Sequence, residues 1–162
     1  MQRLWSPWRS EYLDAGGPDS KDISCVFCYL RDQRNEDERN YVLYRGTHNF
    51  VVLNLYPYIS GHLMVVPYDH VSQLDGASKQ TTDEMMDLAK RCQTALRAAY
   101  NPEGFNLGMN LGKAAGAGIA DHIHIHVMPR WAGDTNFMTT VGETRVLPED
   151  LPTTYQKLRA RF

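Results

Sequence analysis

The stretch Asp121-His122-Ile123-His124-Ile125-His126-Val127-Met128 places three histidines at alternate positions. Side chains of a β-strand alternate between its two faces, so the histidines point one way and the intervening apolar residues point the other. The outer two histidines then lie about 7 Å from the central one along the strand. This pattern predicts a strand with one face in the core and an imidazole face that surrounds a small anionic group such as a phosphate.

The loop before these histidines is built from small residues, Asn110-Leu111-Gly112-Lys113-Ala114-Ala115-Gly116-Ala117-Gly118. Glycine allows positive φ, the conformation from which anion-binding nests of backbone N–H groups are made, and Lys113 adds a mobile positive charge. The loop therefore favours an anion site. Two alternatives stay open: a plain flexible turn, and a metal site made of all three histidines, since alternate strand positions can ligate zinc.

Composition narrows the class of protein. With 162 residues and 43% hydrophobic residues, the chain is long enough to bury one core of its own. The net charge of −2 is made of mixed charges, which gives no basic footprint for a nucleic acid. We find no run of 18 apolar residues and no signal-peptide pattern at the N-terminus, so we expect a cytoplasmic protein with no membrane partner.

The three cysteines are too few, and odd in number, for a disulfide framework. Cys92 falls within a helical pattern and is expected to be a small buried side chain. Cys25 and Cys28 form a Cys-x-x-Cys pair, which is typical of half a zinc site or of a redox pair. The loop-like sequence before Cys25 lacks the strand that a redox motif requires, so zinc is favoured if two more ligands exist.

Hydrophobic periodicity predicts an α+β fold on an antiparallel sheet of about five strands, with one long helix and a C-terminal helix. We expect a single domain over residues 1–162, divided into an N-terminal arm (1–22), a core (23–130) and a C-terminal extension (131–162). The predicted strands cover residues 41–44, 50–55, 62–66, 105–109 and 122–128. A helical turn is predicted over 25–31, the long helix over 78–100, and the final helix within 148–162.

At the histidine run the sequence resembles the histidine triad (HIT) superfamily, whose signature is His-φ-His-φ-His-φ-φ with φ apolar. Residues 54–67 look like the ribose-binding strand and turn of that family, and Pro67-Tyr68-Asp69-His70 resembles a segment that carries a zinc ligand in many members. The resemblance covers about residues 25–130. It implies a HIT fold.

Two further segments, residues 4–9 and 129–137, are similar to the bacterial branch related to diadenosine tetraphosphate phosphorylases. The resemblance then implies a nucleotidyl hydrolase or transferase that cleaves dinucleoside polyphosphates, with phosphate or water as acceptor and no metal in the chemical step. Two other functions stay open: hydrolysis of nucleoside phosphoramidates, and nucleotide binding with little turnover.

By position in the family motif, His124 is the nucleophile that carries the nucleotidyl group. The resemblance implies that the backbone carbonyl of His122 holds the Nδ1–H of His124, and that His126 donates to the phosphate or to the leaving-group oxygen. Substrate contacts are expected from the residues Asn54, His62, Asn110, Gly112, Lys113, Gly116, Ala117 and Gly118.

This sequence departs from the family at Gly118 and Ile119, where many members carry a Gln, Ser or Thr side chain. The acceptor, phosphate or water, is therefore open on the sequence alone. If no side chain covers the leaving-group side, backbone N–H groups of the loop are left to bind inorganic phosphate.

The resemblance also implies a structural zinc site made of Cys25, Cys28, His70 and His122, a closed tetrahedral set. Family members commonly pair through the long helix and the adjoining strand, and the arm contains the apolar residues Trp5, Pro7, Trp8, Tyr12 and Leu13. We therefore expect a homodimer or a higher even oligomer.

Overall fold

A five-stranded antiparallel sheet lies at the centre of the structure, a computed structural model that describes residues 24–144 and 146–162. The arm expected over residues 1–22 lies outside the described residues. Within them the helices are α1 (Val26–Asp32), α2 (Lys79–Tyr100), α3 (Phe137–Thr140) and α4 (Leu151–Arg159). The strands are β1 (Val42–Arg45), β2 (Asn49–Leu53), β3 (Leu63–Pro67), β4 (Gly104–Gly108) and β5 (Ile125–Arg130), in the order β1-β2-β3-β5-β4. The predicted fold class is confirmed.

Helix α2 begins and ends where local chemistry requires it. The Ser78 side chain caps its first turn by accepting a hydrogen bond from the Thr81 N–H at 3.1 Å. Asn101 ends the helix in the left-handed region, with φ of 45°, and Pro102 follows. Met85 and Cys92 lie on the buried face that packs against the sheet.

The two faces of the sheet carry different cores. One face packs against α2 and α4 through a large apolar cluster that includes Val51, Leu53 and Val65. The other face carries a smaller cluster around Phe27 of α1, with Phe50 and other residues of β1, β2 and β3. Because β2 and β3 are covered on both faces, their sequences are continuously apolar rather than alternating.

Strand β5 begins later than predicted. Its ladder to β3 pairs Val65 with Ile125 and Leu63 with Val127, so the expected strand start at residue 122 was wrong by three residues. Because β3 ends at Pro67, the preceding segment has no strand partner there, and the Ile123 N–H donates instead to the Val71 carbonyl at 2.8 Å. The alternation of faces nevertheless continues, since Ile123 is 2% exposed in the α2-side core.

The C-terminal extension contains α3, which the sequence did not predict, and α4, which it placed correctly within 148–162. Asp150 caps α4 by accepting from the Thr153 N–H at 2.9 Å. None of the helices in the described ranges is long and apolar enough to span a membrane.

Candidate active site and metal cluster

The three histidines of the signature lie together on the sheet face that carries Phe27. His122, His124 and His126 are 0%, 5% and 7% exposed. The Phe27 ring packs against the first two, with ring centroids 5.4 Å from His122 and 5.0 Å from His124. Burial of this kind disfavours the charged imidazolium, so each ring is held neutral and its tautomer is set by its hydrogen bonds.

The tautomer of His124 follows from one contact. Its Nδ1 lies 3.0 Å from the backbone carbonyl oxygen of His122, and a carbonyl oxygen only accepts. Nδ1 therefore carries the proton, and Nε2 is left with its lone pair. Burial lowers the pKa of His124, which keeps this neutral form dominant. A buried neutral imidazole with a free Nε2 lone pair is a competent nucleophile toward phosphorus.

The tautomer of His126 is set through His62. The Tyr58 backbone N–H donates to His62 Nδ1 at 3.1 Å, so that nitrogen bears a lone pair. Neutral His62 then carries its proton on Nε2, which lies 2.8 Å from Nδ1 of His126 and donates to it. His126 must accept at Nδ1, and its own proton is therefore on Nε2. That nitrogen is a hydrogen-bond donor next to the nucleophile.

Burial favours the neutral forms of both His62 and His126. Burial, together with the neighbouring His126 and His124, lowers the pKa of His62 to about 3. Burial and the neighbouring His124 lower the pKa of His126 to about 4. Both rings are thus neutral near pH 7, as the hydrogen-bond chain requires.

Asn54 lies beside this chain, with both ends of its amide engaged. Its Oδ1 accepts from the Tyr56 N–H at 3.0 Å, and its Nδ2 lies 3.3 Å from His62 Nδ1. His62 itself is 1% exposed, and both its ring nitrogens contact protein atoms. In this geometry His62 orients His126, whereas Asn54, which is half-buried, lies at the edge of the histidine chain.

The small-residue loop joins the end of β4 to the first histidine. Gly108 of β4 pairs with His126 across the ladder, which places the loop at the histidine end of β5. Gly112 and Gly116 have φ of 80° and 86°, as the nest prediction requires. However, the N–H groups of residues 115, 116 and 117 bond to carbonyls of Gly112 and Lys113 within the loop, so the number of amides that can reach an anion is smaller than the sequence suggested.

A second cluster lies at the other end of the histidine run. Ligand-type atoms of Cys25, Cys28, His70 and His122 all lie within 4.8 Å of one another. Nδ1 of His122 is 3.3 Å from the Cys25 sulfur and 3.7 Å from the Cys28 sulfur, and Nδ1 of His70 is 3.2 Å from the Cys28 sulfur. The structure thus brings together the four residues that the resemblance selected.

These four residues fit a metal ion in both distance and protonation. Metal–sulfur and metal–nitrogen bonds of about 2.3 and 2.0 Å at tetrahedral angles put sulfur and nitrogen about 3.5 Å apart, close to the observed separations. Nε2 of His122 lies 2.9 Å from the Pro67 carbonyl and must donate to it, which leaves the Nδ1 lone pair directed at the two sulfurs. His122 is therefore held in the tautomer that a metal ligand needs.

His122 joins the two clusters. Its ring belongs to the metal cluster, while its backbone carbonyl fixes the tautomer of His124. The alternative of one metal held by all three triad histidines does not fit this geometry, because both ring nitrogens of His122 are engaged elsewhere, Nε2 with the Pro67 carbonyl and Nδ1 with the cysteine sulfurs.

Three groups at the site were not identified from the sequence. They are the Phe27 ring, the Tyr58 backbone N–H and the Pro67 carbonyl, each of which contacts a histidine. Phe27 stands between the two cysteines, and Tyr58 lies four residues before His62, so their positions offered a signal. The Pro67 carbonyl offered none, because a backbone acceptor leaves no mark on residue type.

The chain is similar to proteins of named activity from two organisms. It is 41% identical to AP-4-A phosphorylase of Mycobacterium tuberculosis over 166 residues, covering 100% of this chain and 85% of that protein. It is 25% identical to the yeast (Saccharomyces cerevisiae) adenosine 5'-monophosphoramidase over 113 residues, covering 70% of this chain and 66% of that protein.

A solved structure of a Zn-bound histidine triad family protein from Mycobacterium smegmatis superimposes with a TM-score of 0.69 and 31% identity, covering 85% of this chain and 92% of that one. Residues 35–133 match the HIT domain, which is well over half of the chain. On this match, and on the full-length similarity to a curated relative, the chain belongs to the HIT domain family.

Proposed function

We propose that this protein is a nucleotidyl hydrolase or transferase that cleaves dinucleoside polyphosphates through a nucleotidyl-His124 intermediate. The observation that carries the proposal is the pair of opposite tautomers on neighbouring histidines. His124 has its lone pair on Nε2, and His126 has its proton on Nε2. The ring centroids of the two are 4.7 Å apart. A nucleophile and a hydrogen-bond donor to the leaving group therefore stand side by side.

The first step follows from this arrangement. Nε2 of His124 attacks the α-phosphorus, a P–N bond forms, and the P–O bond to the leaving nucleotide breaks. The Nε2–H of His126 donates a hydrogen bond to the departing oxygen, and the nucleotide leaves as a polyphosphate anion. In the second step the oxygen of phosphate or water attacks the same phosphorus and breaks the P–N bond. The electron pair returns to Nε2 of His124, which takes up the proton of an attacking water. All of this chemistry is carried by groups of the protein, and no metal takes part in it.

Substrate contacts are assigned to the groups around the histidines. Asn54, at the edge of the histidine chain, would hold the ribose, and the loop of residues 110–118 would hold phosphate oxygens. Asn110 closes that loop by donating from Nδ2 to the Gly116 carbonyl at 3.5 Å, and Lys113 is exposed on it. Gly112 and Gly118 would contribute backbone groups, whereas the Ala117 N–H already donates to the Gly112 carbonyl.

We favour phosphate as the acceptor. The relative with full-length similarity is named AP-4-A phosphorylase, and Gly118 places no hydroxyl over the leaving-group side of this chain. Product analysis tests this directly. Diadenosine tetraphosphate incubated with millimolar phosphate is expected to give ADP plus ATP, whereas AMP plus ATP at every phosphate concentration contradicts a phosphorylase and leaves a hydrolase. No turnover in either buffer contradicts the enzyme.

Hydrolysis of nucleoside phosphoramidates is a second candidate, because it uses the same nucleophile and the yeast relative is named a monophosphoramidase. Comparing kcat/KM for adenosine 5'-phosphoramidate and for diadenosine tetraphosphate separates the two. We expect the dinucleotide to be the better substrate.

The metal cluster is assigned a structural zinc ion. Two thiols and two imidazoles are the donor set that tetrahedral zinc prefers, and all four positions are filled by protein. The ion would tie the loop before α1 to the segment that carries His122. Cysteines used as metal ligands are typical of a reducing compartment, which supports a cytoplasmic location.

We also propose a homodimer, or a higher even assembly. Strand β4 lies at an edge of the sheet, and its Leu107 is 42% exposed. Met86 on α2 is 50% exposed. An open edge strand with apolar side chains is a ready surface for a second copy. Sedimentation at micromolar concentration tests this, and a monomer contradicts it.

A further inference from the structure

The pair Cys25 and Cys28 has a spacing that serves redox chemistry as well as metal binding. Cys25 is the residue before α1, and Cys28 lies within the first turn of that helix. Both are free thiols in the structure. The Cys-x-x-Cys spacing is also the one that disulfide oxidoreductases use. The sequence alone favours zinc over a redox pair, whereas the geometry allows the two states to alternate.

The two sulfurs are close enough to bond to each other. The ligand-type atoms of the metal cluster all lie within 4.8 Å of one another, the sulfurs of Cys25 and Cys28 included. A disulfide needs a sulfur–sulfur distance of about 2.05 Å, so the sulfurs must approach by less than about 3 Å. Rotation of the two side chains can supply an approach of this size.

Among the residues that the structure describes, the cluster is open to solvent on the side of His70 and Cys28. His70 is exposed, and Cys28 is half-buried. Cys25 is 8% exposed and His122 is completely buried. An oxidant in solution therefore reaches the Cys28 sulfur first, with Cys25 behind it as the resolving thiol. An accessible sulfur beside a resolving thiol is the arrangement in which a sulfenic acid condenses to a disulfide.

The residues next to this pair connect it to the nucleophile. Phe27 stands between the two cysteines, and its ring centroid lies 5.0 Å from that of His124. Nδ1 of His122 lies 3.3 Å from the Cys25 sulfur, while the His122 carbonyl holds Nδ1–H of His124. A bond between the sulfurs would shift the turn that carries Phe27 and remove the sulfur partners of His122. Both changes bear on the position of His124.

We propose that Cys25 and Cys28 form an oxidation site for peroxides, at which a disulfide forms, the metal ion is released and turnover at His124 falls. The pair would thus have a second state besides that of metal ligands. This inference rests on the proposed function only for its effect on turnover. The disulfide and the release of metal are properties of the cluster itself.

The oxidation is a two-electron process that consumes one molecule of hydrogen peroxide. The Cys28 thiolate attacks a peroxide oxygen, so an S–O bond forms, the O–O bond breaks and hydroxide leaves. The Cys25 thiolate then attacks the sulfenic sulfur, forms the S–S bond and expels a second hydroxide. Each hydroxide takes up a proton from solvent. Two thiolates are oxidised, the peroxide is reduced to two waters, and the disulfide no longer supplies the negative charges that hold a divalent cation.

Peptide mapping after treatment with hydrogen peroxide tests the modification. We expect Cys25 and Cys28 to be joined, with a mass loss of two hydrogens and no label from a thiol alkylating agent. A chromogenic chelator should detect about one zinc ion released for each disulfide. Cys92→Ala is the matched control, because Cys92 is 0% exposed and its removal leaves only the two cluster thiols. Its response should equal that of the wild type.

Thiols that stay free under these conditions overturn the inference, and so does oxidation that passes directly to sulfinic or sulfonic acid. A disulfide that forms while the metal stays bound overturns the link between the two states. These outcomes are read from mass and from metal content, and they do not depend on catalysis.

The effect on turnover is read from kcat before and after oxidation. We expect a fall of about tenfold, the lower end of the loss seen when the surroundings of a metal ligand are disturbed. Dithiothreitol with zinc should restore kcat, whereas it leaves oxidised methionines unchanged, so recovery separates this site from damage elsewhere. A disulfide that leaves kcat unchanged, or a loss that dithiothreitol with zinc does not reverse, overturns the link to His124.

Failure of the inference can be distinguished from failure of the earlier proposals. Protein purified without zinc contradicts the metal assignment and the release of metal, while peptide mapping still decides whether the disulfide forms. Absence of turnover before oxidation contradicts the proposed function, and with it the effect on His124. It leaves the oxidation site to be decided by the mass measurement.

Discussion

The two ends of the histidine run use the same residue type for different tasks. At one end His122 turns its Nδ1 lone pair to the sulfurs of Cys25 and Cys28, while its Nε2–H is held by the Pro67 carbonyl. At the other end His126 accepts at Nδ1 from His62 and keeps its proton on Nε2. The difference comes from the groups around each ring, since neither end differs in residue type or strand position.

His124 lies between these ends and depends on the first of them. Its tautomer is fixed by the carbonyl of the residue whose ring sits in the metal cluster. In the proposed mechanism, the end with the metal-ligand residues fixes the tautomer of the nucleophile through the backbone, and the other end donates a hydrogen bond to the leaving group. The substitutions below remove the nucleophile, a metal-ligand residue and the hydrogen-bond partner of His126, one at a time.

The largest effect is expected at the centre. His124→Ala removes the nucleophile and should lower kcat by about 10⁴-fold or more, the scale seen when a catalytic nucleophile is deleted. Nucleotide affinity should stay within about tenfold, because the lost interaction belongs to the transition state. Single-turnover kinetics and equilibrium binding measure the two. A variant that keeps a tenth of the activity would show that the nucleophile lies elsewhere.

The second-largest effect is expected when one of the four metal-ligand residues is removed. Cys25→Ser should abolish binding of about one zinc per chain and lower the Tm by about 10 °C, because the metal's binding free energy contributes to folding. Metal analysis and thermal unfolding measure both. Cys92→Ala is the matched control, since Cys92 is a buried thiol in the core cluster of α2 and far from the ligand set. It should lower the Tm but keep the metal; metal retained by Cys25→Ser would contradict the assignment.

His62→Phe tests the end of the histidine run where His126 donates to the leaving group. Without a donor at its Nδ1, His126 is no longer confined to the tautomer with the proton on Nε2, and kcat should fall about 100-fold. The loss should shrink for substrates whose leaving-group oxygen is less basic and needs less of this hydrogen bond, which a merely structural defect would not produce. His48→Phe, the same change outside the site, is the control and should leave kcat within twofold. An equal loss for every leaving group contradicts the role of His62.

The smallest effect is on stability in acid. The pKa values of His62 and His126, about 3 and about 4 in the fold, lie below the value of about 6.5 in an unfolded chain. Between these values the unfolded chain binds more protons, so the free energy of unfolding falls as pH falls.

For each of these two histidines, the free energy of unfolding should decrease by about 1 kcal/mol when the pH drops from 7.5 to about 5.5. Urea denaturation at several pH values measures this, and His62→Phe should flatten the dependence. If the free energy of unfolding stays constant or increases as the pH falls over this range, His62 and His126 are already protonated in the fold.

The sequence predicted what periodicity and residue chemistry determine. The α2 helix follows from its apolar spacing between Ser78 and Asn101. Residue types indicated only the Cys25–Cys28 half of the four-residue cluster, and the family resemblance supplied His70 and His122. The histidine face follows from simple alternation, which survived even where the ladder to β3 had ended.

Other features depend on contacts that no residue type reveals. The start of β5 was misplaced because Pro67 ends the partner strand and Val71 takes over the pairing of Ile123. The number of free amides in the loop was overestimated because residues 115–117 bond within it. The C-terminal extension folds back on the end of α2, where Glu149 accepts from the Tyr100 hydroxyl, and this long-range arrangement has no local sequence pattern.

The most direct test of the central claim is to trap the intermediate. The protein is mixed with diadenosine tetraphosphate in the absence of phosphate, quenched within the first turnover and kept at alkaline pH, where phosphorus–nitrogen bonds to histidine survive. We predict an AMP-sized mass increase that maps to His124 by peptide mass spectrometry and is absent from His124→Ala. An adduct on any other residue, or release of both nucleotides with no covalent species at any quench time while turnover proceeds, would contradict it.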